Sequence, residues 1–321
     1  MGVIFFPKKP LNTAVLFLAF NRLETTSVVF DCIRKARPPR LYIAVDGPRT
    51  NVPGELEKVM SVRKYLENNI DWKCDVKKLF REKNYGCKIS VSSAISWFFE
   101  QEDQGIILED DCVPSLSFFW FCEELLIKYK DDHTIHLISG DSRGPDSFGM
   151  KEDYSFCKYP MIWGWASWSR VWRGYDPSIS DWPNFKKKHI HKISFHRPTV
   201  KFWVKTLDAI YNNEIDTWDY QLCFLLFKSQ GKCIVPSINL VSNIGFGHNA
   251  THTHDKNSID SNRGRFELNF PIDHNVSLES ESKINNYYDK IHFCSKPLHV
   301  RIFNKIKLII KSALNKYENS F

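Results

Sequence analysis

Three short apolar runs, each cut off by polar residues, limit what this chain can fold into more than any other feature. Ala14–Phe20 is followed by Asn21-Arg22, Leu41–Val45 by Asp46-Gly47-Pro48, and Gly105–Leu108 by the acidic triplet Glu109-Asp110-Asp111. Apolar runs of this length without polar alternation are strands buried on both faces, the pattern of a parallel sheet covered by helices. In such a sheet the carboxyl ends share one rim, and ligands bind there. A triplet of carboxylates on that rim suits a hard divalent cation that carries phosphates. Taken alone, it is more readily a solvated turn that ends a strand.

The segments between the runs have helical spacing. Leu23–Lys35 places Val28, Val29, Cys32 and Ile33 on one side before Pro38-Pro39 stops it, and Glu55–Asn68 is a charged amphipathic helix. Asp75–Phe80 reads as a third, less apolar strand, Asn84-Tyr85-Gly86 as a turn, and Ser90–Glu100 as a helix. Strand and helix alternating at this spacing predict an α/β sheet, mostly parallel and flanked by helices.

Beyond the triplet, Ser117–Lys130 is a predicted helix and Ile135–Ser139 a strand. The tract Met161–Trp168 is aromatic and reads as irregular, and Trp182–His196 as a solvated helix or loop. Trp218 opens a helix running to Phe227, Cys233–Val235 is a last short strand, and residues 255–296 show little periodicity. Val300–Tyr317 has one apolar helical face and a lysine-rich opposite face. That pattern fits either docking on the domain or lying on an anionic bilayer.

With 321 residues the chain suits one large domain or two closely packed ones. Its net charge of +7 suits an anionic small molecule or membrane surface, and no nucleic-acid partner is expected. Nine scattered cysteines without a Cys-x-x-Cys pair exclude a zinc ribbon and indicate a reducing compartment. The amino terminus lacks a signal-peptide pattern, so the expected location is cytoplasmic, peripheral to the inner face of the cell membrane. No phosphate-binding Gly-x-x-x-x-Gly-Lys loop, Gly-x-Gly-x-x-Gly turn or Gly-x-Ser-x-Gly elbow is present, which argues against P-loop, dinucleotide and α/β-hydrolase enzymes.

The remaining pattern resembles the nucleotide-sugar glycosyltransferases of GT-A fold, in particular the N-acetylglucosaminyltransferase I family and related bacterial glycan-assembly enzymes. Leu18-Ala19-Phe20-Asn21-Arg22 resembles that family's first strand, Ala44-Val45-Asp46-Gly47 its second, and Ile106–Asp111 its Glu-Asp-Asp form of the Asp-x-Asp motif. Trp163-Gly164-Trp165 is similar to its Gly-x-Gly-Trp substrate loop, with an aromatic replacing the first glycine, and Thr217-Trp218-Asp219 to its Trp-Asp element. The matches fall in order across residues 14–220, about two thirds of the chain.

The resemblance implies a Rossmann-like GT-A fold and assigns roles. Arg22 would contact the nucleotide, Asp46 the uracil, Asp110 the ribose and Glu109 the donor sugar, with Trp163, Gly164 and Trp165 lining the substrate loop; for either tryptophan, buried packing is the default reading against stacking on a sugar face. Asp111 would hold Mn2+ or Mg2+. An inverting transfer needs a base on the acceptor side, and the matching element offers Asp219, with Asp216 and Glu214 as competitors; its other reading is a helix N-cap. Among His248, His252 and His254, His252 is the candidate second metal ligand; a loop hinged at Gly245 and Gly247 is the alternative reading.

The expected organisation is a GT-A domain over residues 1–275, with a donor-binding half of about 1–140 and an acceptor half of about 141–275. A carboxy-terminal extension, 276–321, bears the amphipathic basic helix. The expected function is metal-dependent inverting transfer of a sugar from a nucleotide-diphosphate sugar, a UDP-sugar, to a glycan or lipid-linked hydroxyl. A sugar nucleotidyltransferase, or a non-catalytic sugar- or lipid-binding module on the same fold, is the alternative.

Overall fold

The computed structural model describes residues 5–144, 150–246 and 261–294. His248, His252, His254, Gly247 and the expected helix Val300–Tyr317 lie outside these residues. The three apolar runs form β1 (Val15–Ala19), β2 (Arg40–Val45) and β4 (Gln104–Glu109), which with β3 (Asp75–Phe80) make up one half of an eight-stranded sheet. They are joined by α1 (Leu23–Ala36), α2 (Glu55–Asn68) and α3 (Gly86–Phe99). β1 pairs in parallel with β2 and with β4, Phe17 facing both Ile43 and Leu108, and β3 is the parallel edge strand beside β2.

The second half adds β5 (Cys112–Pro114), α4 (Leu116–Lys128), β6 (Ile135–Ser139), β7 (Tyr154–Cys157) and β8 (Trp165–Trp168). Then follow the short α5 (Ser169–Trp172), α6 (Trp182–Lys188), α7 (Arg197–Tyr211), α8 (Asp219–Ser229), β9 (Lys232–Pro236) and β10 (Val241–Asn243). The strand order is β3-β2-β1-β4-β8-β6-β9-β7, with β5 and β10 forming a separate antiparallel ribbon. The expected α/β fold, a mixed and mostly parallel sheet flanked by helices, is therefore present.

Side chains of successive strand residues go to opposite faces. Val15 and Phe17 join Val29, Phe30 and Ile33 of α1, Val59 and Val62 of α2, and Phe118 and Phe119 of α4 on one side. Leu16 and Leu18 join Ala94, Ile95 and Phe98 of α3, Trp203 and Leu207 of α7, and Leu222 and Phe227 of α8 on the other. The sheet is thus the middle of three layers, which is why its strands are apolar on both faces.

Several segments are more ordered than their sequence indicates. The aromatic tract read as irregular contains β8, which runs antiparallel between β4 and β6. Residues 182–196 begin with α6, whose Trp182 and Phe185 are buried, so this segment is only partly solvated. Within 255–296 lies α9 (Leu278–Tyr287), capped by Ser277 Oγ accepting from Ser280 N at 3.2 Å and followed by one π-helical turn, Tyr288–His292. This piece packs on β7: Ser280 Oγ lies 2.7 Å from Ser155 Oγ, and Lys158 N donates to Asn285 Oδ1 at 3.0 Å. Among the described residues, no helix is long and apolar enough to cross a membrane.

Candidate functional site

The carboxyl ends of β1, β2 and β4 converge as expected of a parallel sheet. Arg22, the residue before α1, is turned back across the rim, and one of its Nη atoms donates to both Asp110 and Asp111, at 2.8 Å from Asp111 Oδ2. Burial works against the arginine's charge, but the two carboxylates outweigh it and raise its pKa. Asp110 is buried, with its Oδ2 lacking a hydrogen-bond partner, whereas Asp111 is partly exposed.

Glu109 ends β4, at the centre of the rim. Burial, then the charges of Asp111, Asp110 and Asp219, push it well above its ordinary range, with Arg22 opposing. Burial raises Asp110 as well, against the pull of Arg22. The influence of Asp219 on Glu109 joins the two halves of the chain: the triplet and the amino-terminal end of α8 share one electrostatic environment. The thiol of Cys87, at the start of α3, reports the same convergence. Burial raises its pKa, and Glu109, Asp219, Asp216 and Asp46 add to the rise.

Asp46 follows β2 and is buried. Its carboxylate accepts from Gly47 N at 2.9 Å, from Asn84 Nδ2 at 3.0 Å and from Tyr85 N at 3.2 Å. The turn Asn84-Tyr85-Gly86 therefore does more than connect β3 to α3, because it fixes the acid that ends β2. Burial still raises the Asp46 pKa against these amide bonds.

Asp219 is the first residue of α8, where a carboxylate is favoured by the helix dipole. Trp218 occupies the N-cap position without a side-chain cap, so Asp219 is not the capping residue of the alternative reading. Its Oδ1 accepts from the Thr217 hydroxyl. An aromatic shelf holds this corner. Trp218 stacks on Trp165 at 5.9 Å between centroids and 21° between planes, and Tyr175 Oη donates to Trp218 O at 2.9 Å. Of the competing acids, Asp216 accepts from Lys88 N at 3.3 Å, and Glu214 is exposed and bonded to Asn212.

The tryptophan loop divides its residues between rim and core. Trp163 is partly exposed, with the Arg143 guanidinium 3.6 Å above its ring and Phe246 against its edge. Gly164 adopts a positive φ of 66°, and an added Cβ would lie 2.8 Å from Val241 Cγ2, so both its conformation and the space around it favour glycine. Trp165 is 1% exposed. Its ring belongs to the core beneath Asp219 and presents no face to a ligand, so the buried-packing reading of this residue holds and its place among the donor-binding residues does not.

A backbone wall closes one side of the triplet. Ile244 N donates to Asp111 O at 2.9 Å, and a Cβ on Gly245 would fall 2.0 Å from Asp111 Oδ2. Gly245 thus acts by close approach. Sequence reasoning missed Tyr175, Asn84, Tyr85 and Arg143. Only Asn84-Tyr85-Gly86 carried a signal, as a turn, since the other two reach the rim through contacts distant in sequence.

The donor chemistry here fits a divalent cation in one particular way. Asp110 and Asp111 crowd against Arg22 beside Glu109, and one buried Asp110 oxygen is unsatisfied. Among the described residues, no group of three His, Cys, Asp or Glu side chains forms a ready-made metal cage. The protein would then supply few ligands, with the partly exposed Asp111 the accessible one.

No protein-family model and no curated protein matches the chain. Among solved structures it is similar to S. aureus TarS residues 1–349, at 12% identity and a TM-score of 0.36, over 52% of this chain and 50% of that one. It is also similar to HddC from Yersinia pseudotuberculosis, at 9% identity and a TM-score of 0.31, over 51% of this chain and 80% of that one. The chain thus spans about half the length of the TarS fragment. At these scores neither likeness bears on function.

Proposed function

We propose that the protein is a metal-dependent inverting glycosyltransferase that moves a sugar from a UDP-sugar to a hydroxyl of a glycan or lipid-linked acceptor. One observation carries this reading: Arg22 grips both Asp110 and Asp111 on the rim, where the charge of Asp219 also reaches Glu109. A donor-anchoring cluster and a base on a different element are the two parts that an inverting transfer requires.

Asp219 takes the proton of the acceptor hydroxyl as its oxygen bonds to the anomeric carbon. The bond from that carbon to the diphosphate oxygen breaks, and the leaving nucleoside diphosphate departs with the electron pair. Arg22 stands beside the developing charge. Glu109 faces the donor sugar and Asp110 the ribose, while Asp46 meets the base at the end of β2. Asp111 would hold Mn2+ or Mg2+, which when bound supplies neutralisation of diphosphate charge. Trp163 and Gly164 line the acceptor side, and Tyr175 with Trp165 positions Asp219 from below.

The test uses the full chain, a panel of nucleotide sugars and Mn2+, with thermal stability, donor hydrolysis and transfer as readouts. UDP-sugars should raise the melting temperature in the presence of metal. Asp111→Ala should remove the metal dependence. Asp219→Asn should keep the donor-induced stabilisation but lower transfer about 10²- to 10⁴-fold. Absence of both UDP binding and any metal response would defeat the reading.

A further inference from the structure

The most exposed large apolar side chain among the described residues, Phe195, is 94% exposed on the loop that enters α7. Ile291, 64% exposed, occupies the π-helical turn after α9. These two positions are far apart in sequence, yet their turns are fastened together. Ser194 Oγ donates to Asp289 Oδ2 at 2.9 Å, and the Thr199 hydroxyl bonds to Asp289 O. Asp289 also accepts from Lys158 Nζ at 2.8 Å and from the Tyr159 hydroxyl. The network holds both apolar residues outward on one rigid base.

Their surroundings are basic. Between Asp181 and Asp208 the chain has no Asp or Glu, but it carries six lysines, Arg197 and three histidines. Arg197, Lys201 and Lys205 follow one another at four-residue spacing along α7, all exposed, while Thr199, Trp203, Leu207 and Ile210 face the core. Like charges at this spacing destabilise a helix. The stripe therefore works against the fold and calls for an anionic partner. Lys290 and His292 flank Ile291 in the same manner.

We propose that this face, formed by the loop before α7, the outer side of α7 and the turn after α9, docks on an anionic phospholipid bilayer. Phe195 and Ile291 enter the interface, and the cations meet the headgroup phosphates. Large apolar side chains within a cationic ring are what a peripheral membrane surface requires, because burial and charge attraction add. Ile291 decides against a nucleic acid, since an aliphatic side chain has no stacking role there. The docking face is separate from the rim. The far end of α7 reaches the rim, where Asn213 Oδ1 accepts from Lys88 Nζ at 3.3 Å, next to Cys87. At 15 residues, α7 sets the Phe195 end of the face about 22 Å from the rim.

The test is co-sedimentation of the full chain with vesicles of phosphatidylcholine alone or with 30% phosphatidylglycerol (about one lipid in three, to give a strongly anionic surface). The wild type should bind only the anionic vesicles. Phe195→Ser with Ile291→Ser should weaken binding at least about tenfold, and Arg197→Glu with Lys290→Glu should weaken it and flatten its salt dependence. Both pairs are exposed positions, so unchanged thermal melting and donor hydrolysis separate a docking defect from misfolding or a failed rim. Equal vesicle binding by wild type and the Phe195→Ser, Ile291→Ser variant overturns the proposal. So does binding to an RNA homopolymer with none to vesicles, which assigns the face to a nucleic acid.

Discussion

Arg22 and Asp111 are joined by a 2.8 Å hydrogen bond between the ends of the paired strands β1 and β4, and the same arginine nitrogen also holds Asp110. This one side chain links the start of the first crossover helix to the acidic end of the fourth strand. It balances carboxylates that the fold itself forces together.

Replacing it should therefore expose how much strain the acids impose. Arg22→Met should destabilise the protein by about 1–3 kcal/mol, since it leaves buried carboxylates unpaired. Mn2+ should narrow that deficit, because a cation at Asp111 restores part of the missing charge. Urea unfolding with and without Mn2+ checks both statements; equal stability of variant and wild type would contradict them.

Gly245 offers a way to disturb Asp111 without changing it. Gly245→Ala places a methyl group where Asp111 Oδ2 now lies, 2.0 Å from the new Cβ, so backbone or carboxylate must move. We expect a cost of about 1–3 kcal/mol and a loss of donor hydrolysis of tenfold or more, on the order of what a misplaced catalytic geometry brings. Thermal melting and hydrolysis rates measure the two effects. Full activity at reduced stability would show that the wall does not position the acid.

A third expectation concerns pH and lies away from the rim. His136, on β6, packs beneath Gly231 with its Nε2 3.0 Å from Ser229 Oγ, and burial lowers its pKa from the usual 6.5. Arg170 and His133 push in the same direction, whereas the Thr134 carbonyl opposes them. Because the unfolded chain binds this proton more readily, stability is complete above about pH 6.5 and declines as pH falls below it. His136→Asn should flatten that decline. Urea midpoints at about pH 7.5 and 5.5, either side of the histidine range, would reveal it; parallel slopes for the two proteins would refute it.

Legibility in the sequence followed the range of the interactions. β1, β2 and β4 were readable because burial on both faces writes a continuous apolar run into each. β8 was not. Its Trp165-Ala166-Ser167-Trp168 is short, has no β-branched residue and becomes a strand only by pairing with Ile107 of β4 and Ile138 of β6. In α7 the signal existed, with Trp203, Leu207 and Ile210 at helical spacing, but the surrounding lysines and Arg197-Pro198 obscured it. The rim itself was announced by Glu109-Asp110-Asp111, and Arg22 and Asp46 follow strands where polar residues were expected. Tyr175 and Arg143 were invisible, since an isolated aromatic or cation gives no hint of the tryptophan it will touch.

The reversed direction of β8 has a consequence for how such a molecule diversifies. Because Trp165 faces Ile107, the start of β8 lies at the carboxyl end of β4, and the Trp163-Gly164 loop before it opens onto the triplet. Had β8 run parallel, that loop would emerge at the opposite edge. The antiparallel β8 therefore brings one loop of the later chain to a site whose parallel wall is complete by residue 111, beside Asp219 of α8 and the Ile244-Gly245 backbone. Loops entering through β8 are free to drift in length and chemistry, leaving the parallel frame that carries Arg22, Asp46 and the acids intact.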